Sequence, residues 1–452
     1  MPNSFELLNG LLGEDNGAGA LLDDKTIDWI SYGELKARIA QEADRLAGSK
    51  SLIFLSAHND IETVVSLYGT LAANHAVALI NPDLVPELHE ALVAAYRPRW
   101  LIENGQIFDR GAEHSALEIH DELAVLLSTS GSTGSPKFVR LTRNNIKANA
   151  VAIAQALHMT AQDCGGGHLP LHYSYGLSVL TSHLAVGARV RLTKSGFMDR
   201  SHWEAVRDAG VTQLPGVPFH IQMMMKMGLK RLNIPSLRSL TQAGGHLETT
   251  IRQHAHAAME ERGGQFFVMY GQTEAAPRMT TLAHIDFLDA PHSVGTALPG
   301  CAISVIGADA DGQGEVEFKG SNVMMGYAEN AQDLGLGDVM EGRLLTGDVG
   351  KLDQAGRLTL VGRTKRFGKI FGLRVNLDEV EAFANTILET AVIQKDDKII
   401  AHVVSAKSTD GEDLLGALRT RFALPPSCFE IRCVPAIVRS ERGKVDYRLL
   451  EV

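Results

Sequence analysis

The sequence lacks the features of a disulfide-stapled, zinc-binding or membrane-spanning protein. Its four cysteines, Cys164, Cys301, Cys428 and Cys433, form no CxxC pair and follow no regular spacing, which excludes a disulfide framework and a cysteine-based zinc site. No run approaches the roughly 18 apolar residues that a membrane span requires. The opening residues, MPNSFELLNG, lack a basic segment leading into an apolar stretch, so no secretory leader is expected. Positive charge is in deficit as well: the formal net charge is −10, which excludes general affinity for nucleic acid or anionic membrane. Repeats and low-complexity tracts are absent. Together these absences predict a soluble protein of the reducing cytoplasm.

What is present is an ordinary globular composition, 45% apolar and 21% charged, over 452 residues. That length exceeds what a single core usually serves, so two or more domains are expected. Apolar strand-like runs alternate with amphipathic stretches: SLIFLSA, IETVVSLYGTLAA, AVALINP, LVPELHEALVAAY, then ELAVLLSTS, NNIKANAVAIAQALHM, ARVRLTKSG and HWEAVRDAG. This is the rhythm of βαβ units and predicts a mostly parallel sheet with ligands at its strand C-termini. From about residue 290 the texture changes to short strands with Gly-rich turns, which predicts a β subdomain over about 290–364. Beyond it a basic stretch (Arg363, Lys365, Arg366, Lys369, Arg374) leads into NLDEVEAFANTILE and IIAHVVSA. The expected organisation is therefore a large N-terminal α/β domain, 1–364, and a small α+β domain, 365–452.

The segment LLSTSGSTGSPK, Leu126 to Lys137, concentrates anion-binding chemistry after an apolar strand. Gly131 and Gly134 let backbone N–H groups converge, Ser128, Thr129, Ser130, Ser132 and Thr133 donate hydrogen bonds, and Lys137 adds charge. Its spacing is not that of a Walker loop, which needs four residues between its glycines followed by Gly-Lys-Ser/Thr. Alone, the segment also reads as a polar turn. A second motif, Tyr270-Gly271-Gln272-Thr273-Glu274, follows the apolar run QFFVM and so is expected at the same sheet edge. It offers an aromatic face, a lean backbone, a hydroxyl and a carboxylate able to hold Mg²⁺. A third, Thr346-Gly347-Asp348, is expected in a tight turn, with Asp348 able to accept from ribose hydroxyls. Gly362-Arg363-Thr364-Lys365 and Arg442-Gly443-Lys444-Val445-Asp446 complete the series.

In this order the motifs resemble those of the adenylate-forming superfamily of acyl-CoA synthetases, nonribosomal peptide synthetase adenylation domains and luciferases. The resemblance runs from Ser31-Tyr32-Gly33-Glu34-Leu35 to Lys444, with Ala243-Gly244-Gly245-His246-Leu247 and the stretch Gly314-Glu315 to Gly326-Tyr327 matching further elements. It implies a multi-layer α/β domain with a β subdomain and a small mobile C-terminal domain. It also implies ATP and Mg²⁺, and CoA or a carrier protein's phosphopantetheine as thiol acceptor. Position by position, the loop Thr129, Ser130, Gly131, Ser132, Thr133, Gly134 and Lys137 would hold the β- and γ-phosphates. Glu274 would hold the metal, with Thr273 beside it. Adenine would lie among Gly244, Gly245, His246, Tyr270, Gly271 and Gln272, and ribose on Asp348 and Arg363. Lys444 would act in adenylation, Lys365 as hinge, and Lys369 and Gly372 in the thiol channel.

The resemblance places the acid among His172, Tyr173, Gly176 and Ala243. The usual PLFHxxGL segment is here Pro170-Leu171-His172-Tyr173-Ser174-Tyr175-Gly176-Leu177, with tyrosine where histidine is frequent. The FDxS signature that holds an α-amino group is absent. His168, His172 and His220 could bond a substrate hydroxyl or keto group, or be satisfied core histidines. Met223, Met224, Met225 and Met227 could line an acyl tunnel, or simply pack a helix. The expected activity is activation of a carboxylic acid with an acyl or aryl body and its transfer to a thiol, with an acyl carrier protein as the partner if the thiol is not that of CoA. The alternatives are an amino-acid-activating domain serving a peptidyl carrier protein and a catalytically silent nucleotide-binding homologue.

Overall fold

The structure is a computed structural model. It describes residues 6–111, 117–128, 137–363, 366–370, 373–395, 398–405, 408–422, 426–439 and 445–450. The chain divides into two compact units, Met1–Ile303 with Phe318–Leu344, and Ser304–Glu317 with Leu345–Val452.

The first unit holds two large sheets where the sequence alone suggested one. A seven-stranded sheet runs in the order Gly326–Ala328, Phe138–Thr142, Leu123–Ser128, Ala76–Ile80, Leu52–Ser56, Trp100–Glu103, Gln106–Asp109. Its central strands Leu52–Ser56, Ala76–Ile80 and Leu123–Ser128 are parallel and buried along nearly their whole length, as expected for strands covered on both faces. A nine-stranded sheet runs Thr296–Ala297, Arg278–Leu282, Gln265–Gly271, Ser239–Gln242, Gln213–Gly216, Cys164–Gly167, Arg189–Leu192, Gly19–Leu22, Ile30–Ser31. It is parallel from Gly19–Leu22 through Gln265–Gly271. The period of an apolar run shows that a segment is a strand, but not which strand it pairs with, so the two sheets could not be separated from pattern alone.

Helices join the sheets. One apolar cluster unites Ile53, Val77 and Leu127 of the first sheet, Leu21, Val190 and Leu192 of the second, and Leu35, Val64, Leu177 and Leu184 from helices. Those helices are Tyr32–Arg45, Ile61–Ala72 and Ser174–Ala185. The first two begin at side-chain caps: Ser31 accepts from Glu34 N at 3.1 Å and Asp60 from Thr63 N at 3.0 Å, satisfying otherwise orphaned helix N–H groups. Tyr32, fully buried, donates to the Ala188 carbonyl at 2.7 Å. Among the described residues no helix is long and apolar enough to cross a membrane.

The second unit carries most of a four-stranded sheet, Ala302–Ile306, Gly314–Lys319, Arg343–Leu352 and Leu358–Arg363. A hairpin, Phe367–Ile370 with Leu373–Asn376, leads to the helix Leu377–Asn385. The three-stranded sheet of Thr390–Lys395, Lys398–Val404 and Phe429–Val434 follows. This part has its own core, with Val380, Ala384, Val392, Ala401, Leu414 and Leu418 fully buried.

Candidate active site

The two strongest motifs leave different sheets. Leu123–Ser128, which delivers the Ser/Gly loop, belongs to the seven-stranded sheet, and Gln265–Gly271, which delivers Tyr270 to Glu274, to the nine-stranded one. The expectation of a shared sheet edge is therefore corrected, and a third segment does the joining. Met324 N donates to the Glu274 carbonyl and Met325 N to the Arg140 carbonyl, both at 2.9 Å. Gly326–Ala328 then pairs antiparallel with Phe138–Thr142, with Tyr327 opposite Val139. Arg140 is wholly buried. Its guanidinium donates to the carbonyls of Tyr327 at 3.1 Å, Met325 at 3.2 Å, Gly337 at 3.1 Å and Leu336, so the segment carrying Tyr327 is held rigidly.

Tyr327 connects the two motifs through its side chain. Its hydroxyl donates to Glu274 Oε1 at 2.9 Å, and the Lys137 Nζ sits 3.4 Å from its ring centroid. Burial and the adjacent Glu274 carboxylate raise the phenol's pKa above its ordinary value, so the tyrosine stays a neutral donor. A lysine, a carboxylate and a phenol thus lie together, one charge on the ring face and the other on the hydroxyl. Thr273 lies in the short 3₁₀ turn Thr273–Ala275, with its hydroxyl 3.0 Å from that of Ser174. Asn322 braces this turn by donating to the Ala275 carbonyl at 2.6 Å.

Beside this cluster, Ser239–Gln242 and Gln265–Gly271 run parallel. Their C-terminal ends carry Ala243, Gly244, Gly245 and His246 on one side, and Tyr270, Gly271 and Gln272 on the other. Gly244 has φ +86°, and a Cβ there would lie 2.5 Å from the Tyr173 hydroxyl. Ala243 and Tyr173 belong to one apolar cluster with Tyr175, Met269 and Val217. Tyr173 caps the helix Ser174–Ala185, and Gly176 in its first turn has no room for a side chain, since a Cβ would meet the Pro170 carbonyl oxygen at 2.3 Å. His172 precedes this helix, and His246 is largely exposed, 3.7 Å from Glu248.

In the second unit, Asp348 and Arg363 are direct partners across Arg343–Leu352 and Leu358–Arg363. The Arg363 Nε donates to Asp348 Oδ1 at 3.1 Å, and the aspartate side chain is 8% exposed against 62% for the arginine. The tight turn expected at Thr346-Gly347-Asp348 is instead a kink inside a ten-residue strand. Gly347 adopts φ +70° and its N–H donates to Glu315 Oε1 at 3.2 Å. A lone glycine within a strand permits such a kink. Lys369 lies in the hairpin strand Phe367–Ile370. Thr129, Ser130, Gly131, Ser132, Thr133, Gly134, Lys365, Gly372 and Lys444 lie outside the described residues.

Sequence reasoning assigned no site role to Tyr327, although its Gly-Tyr pair was visible as a motif. It also passed over Arg278, whose only signal was a cation in the apolar stretch after Glu274.

A family model described as AMP-binding enzyme matches residues 14–328. The 2-succinylbenzoate–CoA ligase of Bacillus cytotoxicus is 25% identical over 422 residues, covering 85% of this chain and 86% of that protein. The medium-chain fatty-acid–CoA ligase of Escherichia coli is 29% identical over 283 residues, 61% of this chain and 49% of that one. Among solved structures, the O-succinylbenzoate coenzyme A synthetase of Bacillus subtilis, in complex with ATP and magnesium ion, superposes with a TM-score of 0.80 at 21% identity, covering 100% of both chains.

Proposed function

Because the chain belongs to the AMP-binding enzyme family, we propose that it is an AMP-forming acid–thiol ligase that couples a carboxylic acid to coenzyme A through an acyl-adenylate. The observation that carries this reading is the meeting of Lys137, Tyr327 and Glu274. It places a cation for phosphate and a hard oxygen ligand on a braced scaffold. In the first half-reaction an oxygen of the acid attacks the α-phosphorus of ATP, the bond to the β-phosphate's bridging oxygen breaks, and pyrophosphate leaves. In the second a thiol attacks the acyl carbon, loses its proton, and expels AMP.

Each assigned residue has a physical task. Lys137, with Thr129 to Gly134, steadies pyrophosphate as it departs, which explains why a Walker spacing is not needed: the γ-phosphate is not the one attacked. Glu274 suits Mg²⁺ because a carboxylate oxygen is the ligand type that ion prefers, and Tyr327 orients that carboxylate by donating to one of its oxygens. Magnesium, when bound, neutralises charge on the phosphates. Tyr270, Gly271, Gln272 and Gly244 to His246 are assigned to adenine, and Asp348 with Arg363 to ribose. Thr273 is assigned beside the metal ligand, and His172, Tyr173, Gly176 and Ala243 to the acid.

Lys444 is assigned to the junction of carboxylate and α-phosphate, where its charge offsets the repulsion of two anions in the transition state. In this reading residues 1–364 bind nucleotide and acid, with a β subdomain over about 290–364. Residues 365–452 turn about Lys365 and supply Lys444 first, then Lys369 and Gly372 for the thiol. Relatives named as CoA ligases favour coenzyme A over a carrier protein as acceptor.

Pyrophosphate exchange with a panel of carboxylic acids tests the proposal. Exchange with at least one acid is expected, and Lys444→Ala is expected to lower it by about 10²-fold or more while thioester formation from supplied acyl-adenylate survives. Nucleotide binding without exchange on any acid would instead support the silent homologue. Equal loss of both half-reactions would remove Lys444 from its assigned role.

A further inference from the structure

Arg278 is 3% exposed, and its side chain makes one hydrogen bond, from Nη1 to the thioether sulfur of Met269 at 3.3 Å. Thioether sulfur is a weak acceptor. Nε is buried without a partner, and among the described residues no carboxylate pairs with this guanidinium. Its guanidinium lies over the face of Tyr175, 4.7 Å from ring centroid to Cζ.

Other deeply buried arginines are treated differently. Arg140 donates to four backbone carbonyls, and Arg252 reaches the Ser293 carbonyl at 3.2 Å. Arg278 alone of these three has no oxygen acceptor. Burial accordingly holds its pKa below the ordinary arginine value, only partly opposed by Tyr175 and Tyr173.

The backbone at this position is nevertheless fixed with care. Asn149, 1% exposed, brackets Arg278 by donating Nδ2 to its carbonyl at 2.7 Å and accepting its N–H at 3.3 Å. Asn322 donates to the same carbonyl at 3.2 Å. Two buried amides thus hold the main chain while the cationic head is left without an anion. Packing on Tyr175 does not account for the charge, because an apolar side chain could cover that ring without desolvating a guanidinium. The surroundings say what would: Met269, Tyr173 and Tyr175 share one apolar cluster with Ala243, and Tyr173 and Ala243 are among the residues assigned to the acid.

We propose that Arg278 is the counter-ion for a second carboxylate at the far end of the acid, so that the substrate is a dicarboxylic acid rather than a simple fatty acid. The inference rests on the acid-activation reading above and deepens it. A guanidinium presents two parallel N–H groups to a carboxylate. An alkyl terminus in the same place would leave the buried cation unpaired, and sites built around a polar group reject analogues that lack it.

The test is pyrophosphate exchange by the full-length chain with matched acids: straight-chain monocarboxylic acids of about four to eight carbons, benzoate and phenylpropanoate, each beside its counterpart bearing a second, distal carboxylate. At least one dicarboxylate is expected to exceed its matched monoacid by roughly 10²-fold or more in kcat/KM. Arg278→Gln should collapse that ratio, mainly through the KM of the dicarboxylate, and Arg278→Lys should restore part of it. Wild-type preference for monoacids across all pairs would overturn the proposal while leaving acid activation intact. So would an unchanged ratio in Arg278→Gln. Absence of exchange with every acid would sink the activation reading and this inference with it. Should Arg278→Gln fail to fold, the wild-type ratios decide the matter alone.

Discussion

Gly271 ends its strand against the backbone of its antiparallel neighbour, where a Cβ would lie 2.0 Å from the Pro277 carbonyl oxygen and 2.9 Å from the Arg278 Cα. Because the obstacle is main chain, no rotamer change relieves it, and the strand ends would have to separate. Gly271→Ala is expected to lower stability by about 2 kcal/mol or more, as overpacking against backbone does. Urea unfolding measures it, and a change within about 0.5 kcal/mol, the usual range for an unconstrained surface site, would show that the neighbour yields freely. The residue was legible from sequence as a lean position in the Tyr270 motif, but its reason was not. Pattern suggested close approach of a ligand, whereas here the nearest obstacle is the protein's own chain. Tyr327 was harder still, since its role depends on Lys137 and Glu274, which are 137 positions apart in the sequence.

Two helices and one strand end build an aromatic knot. His202 on Arg200–Asp208, His220 on Pro218–Met227 and His168 after Cys164–Gly167 pack together. The His168 ring lies 5.2 Å from His202 and 5.0 Å from His220, and Phe197 stacks on His220 at 4.2 Å. Burial is the main cause that lowers the pKa of both His202 and His220 to about 4. His202 also faces Asp199 and Asp24, which oppose the shift, and Arg191, which adds to it; His202 adds to the shift of His220.

The folded chain keeps these rings neutral where the unfolded chain protonates them. Stability therefore has its full value above the ordinary histidine pKa of 6.5 and falls as pH drops from there toward about 4. The expected loss is on the order of 3 kcal/mol for each of the two histidines across that window. Denaturant unfolding at stepped pH checks it: His220→Phe should flatten the slope, and an identical slope would sink the assignment. The sequence showed His168 and His220 as either substrate contacts or core residues. Periodicity could not rank the two readings, because both put a histidine beside an apolar face. His202 drew no notice, being one polar residue in a polar helix, although it is fully buried.

For the molecule as a whole, the ligand reading has a thermodynamic consequence. A nucleotide that binds only folded protein stabilises it by about 2.7 kcal/mol at a hundredfold excess over Kd, which for a unit of this size raises Tm by on the order of 2 to 4 °C. Calorimetry with ATP and Mg²⁺ should show that rise, and chelating the metal should remove part of it. A Tm unmoved by ATP or AMP would count against nucleotide binding altogether. The order of the motifs and the βαβ rhythm were legible because each depends on a short window of residues, and family membership followed from them. The partition into two sheets, the bridging by Tyr327, the inward burial of Arg278 and the kink at Gly347 were not. Each of these is a relation between segments remote in sequence, set by which faces the folded chain brings together to exclude water, and no local pattern encodes that choice.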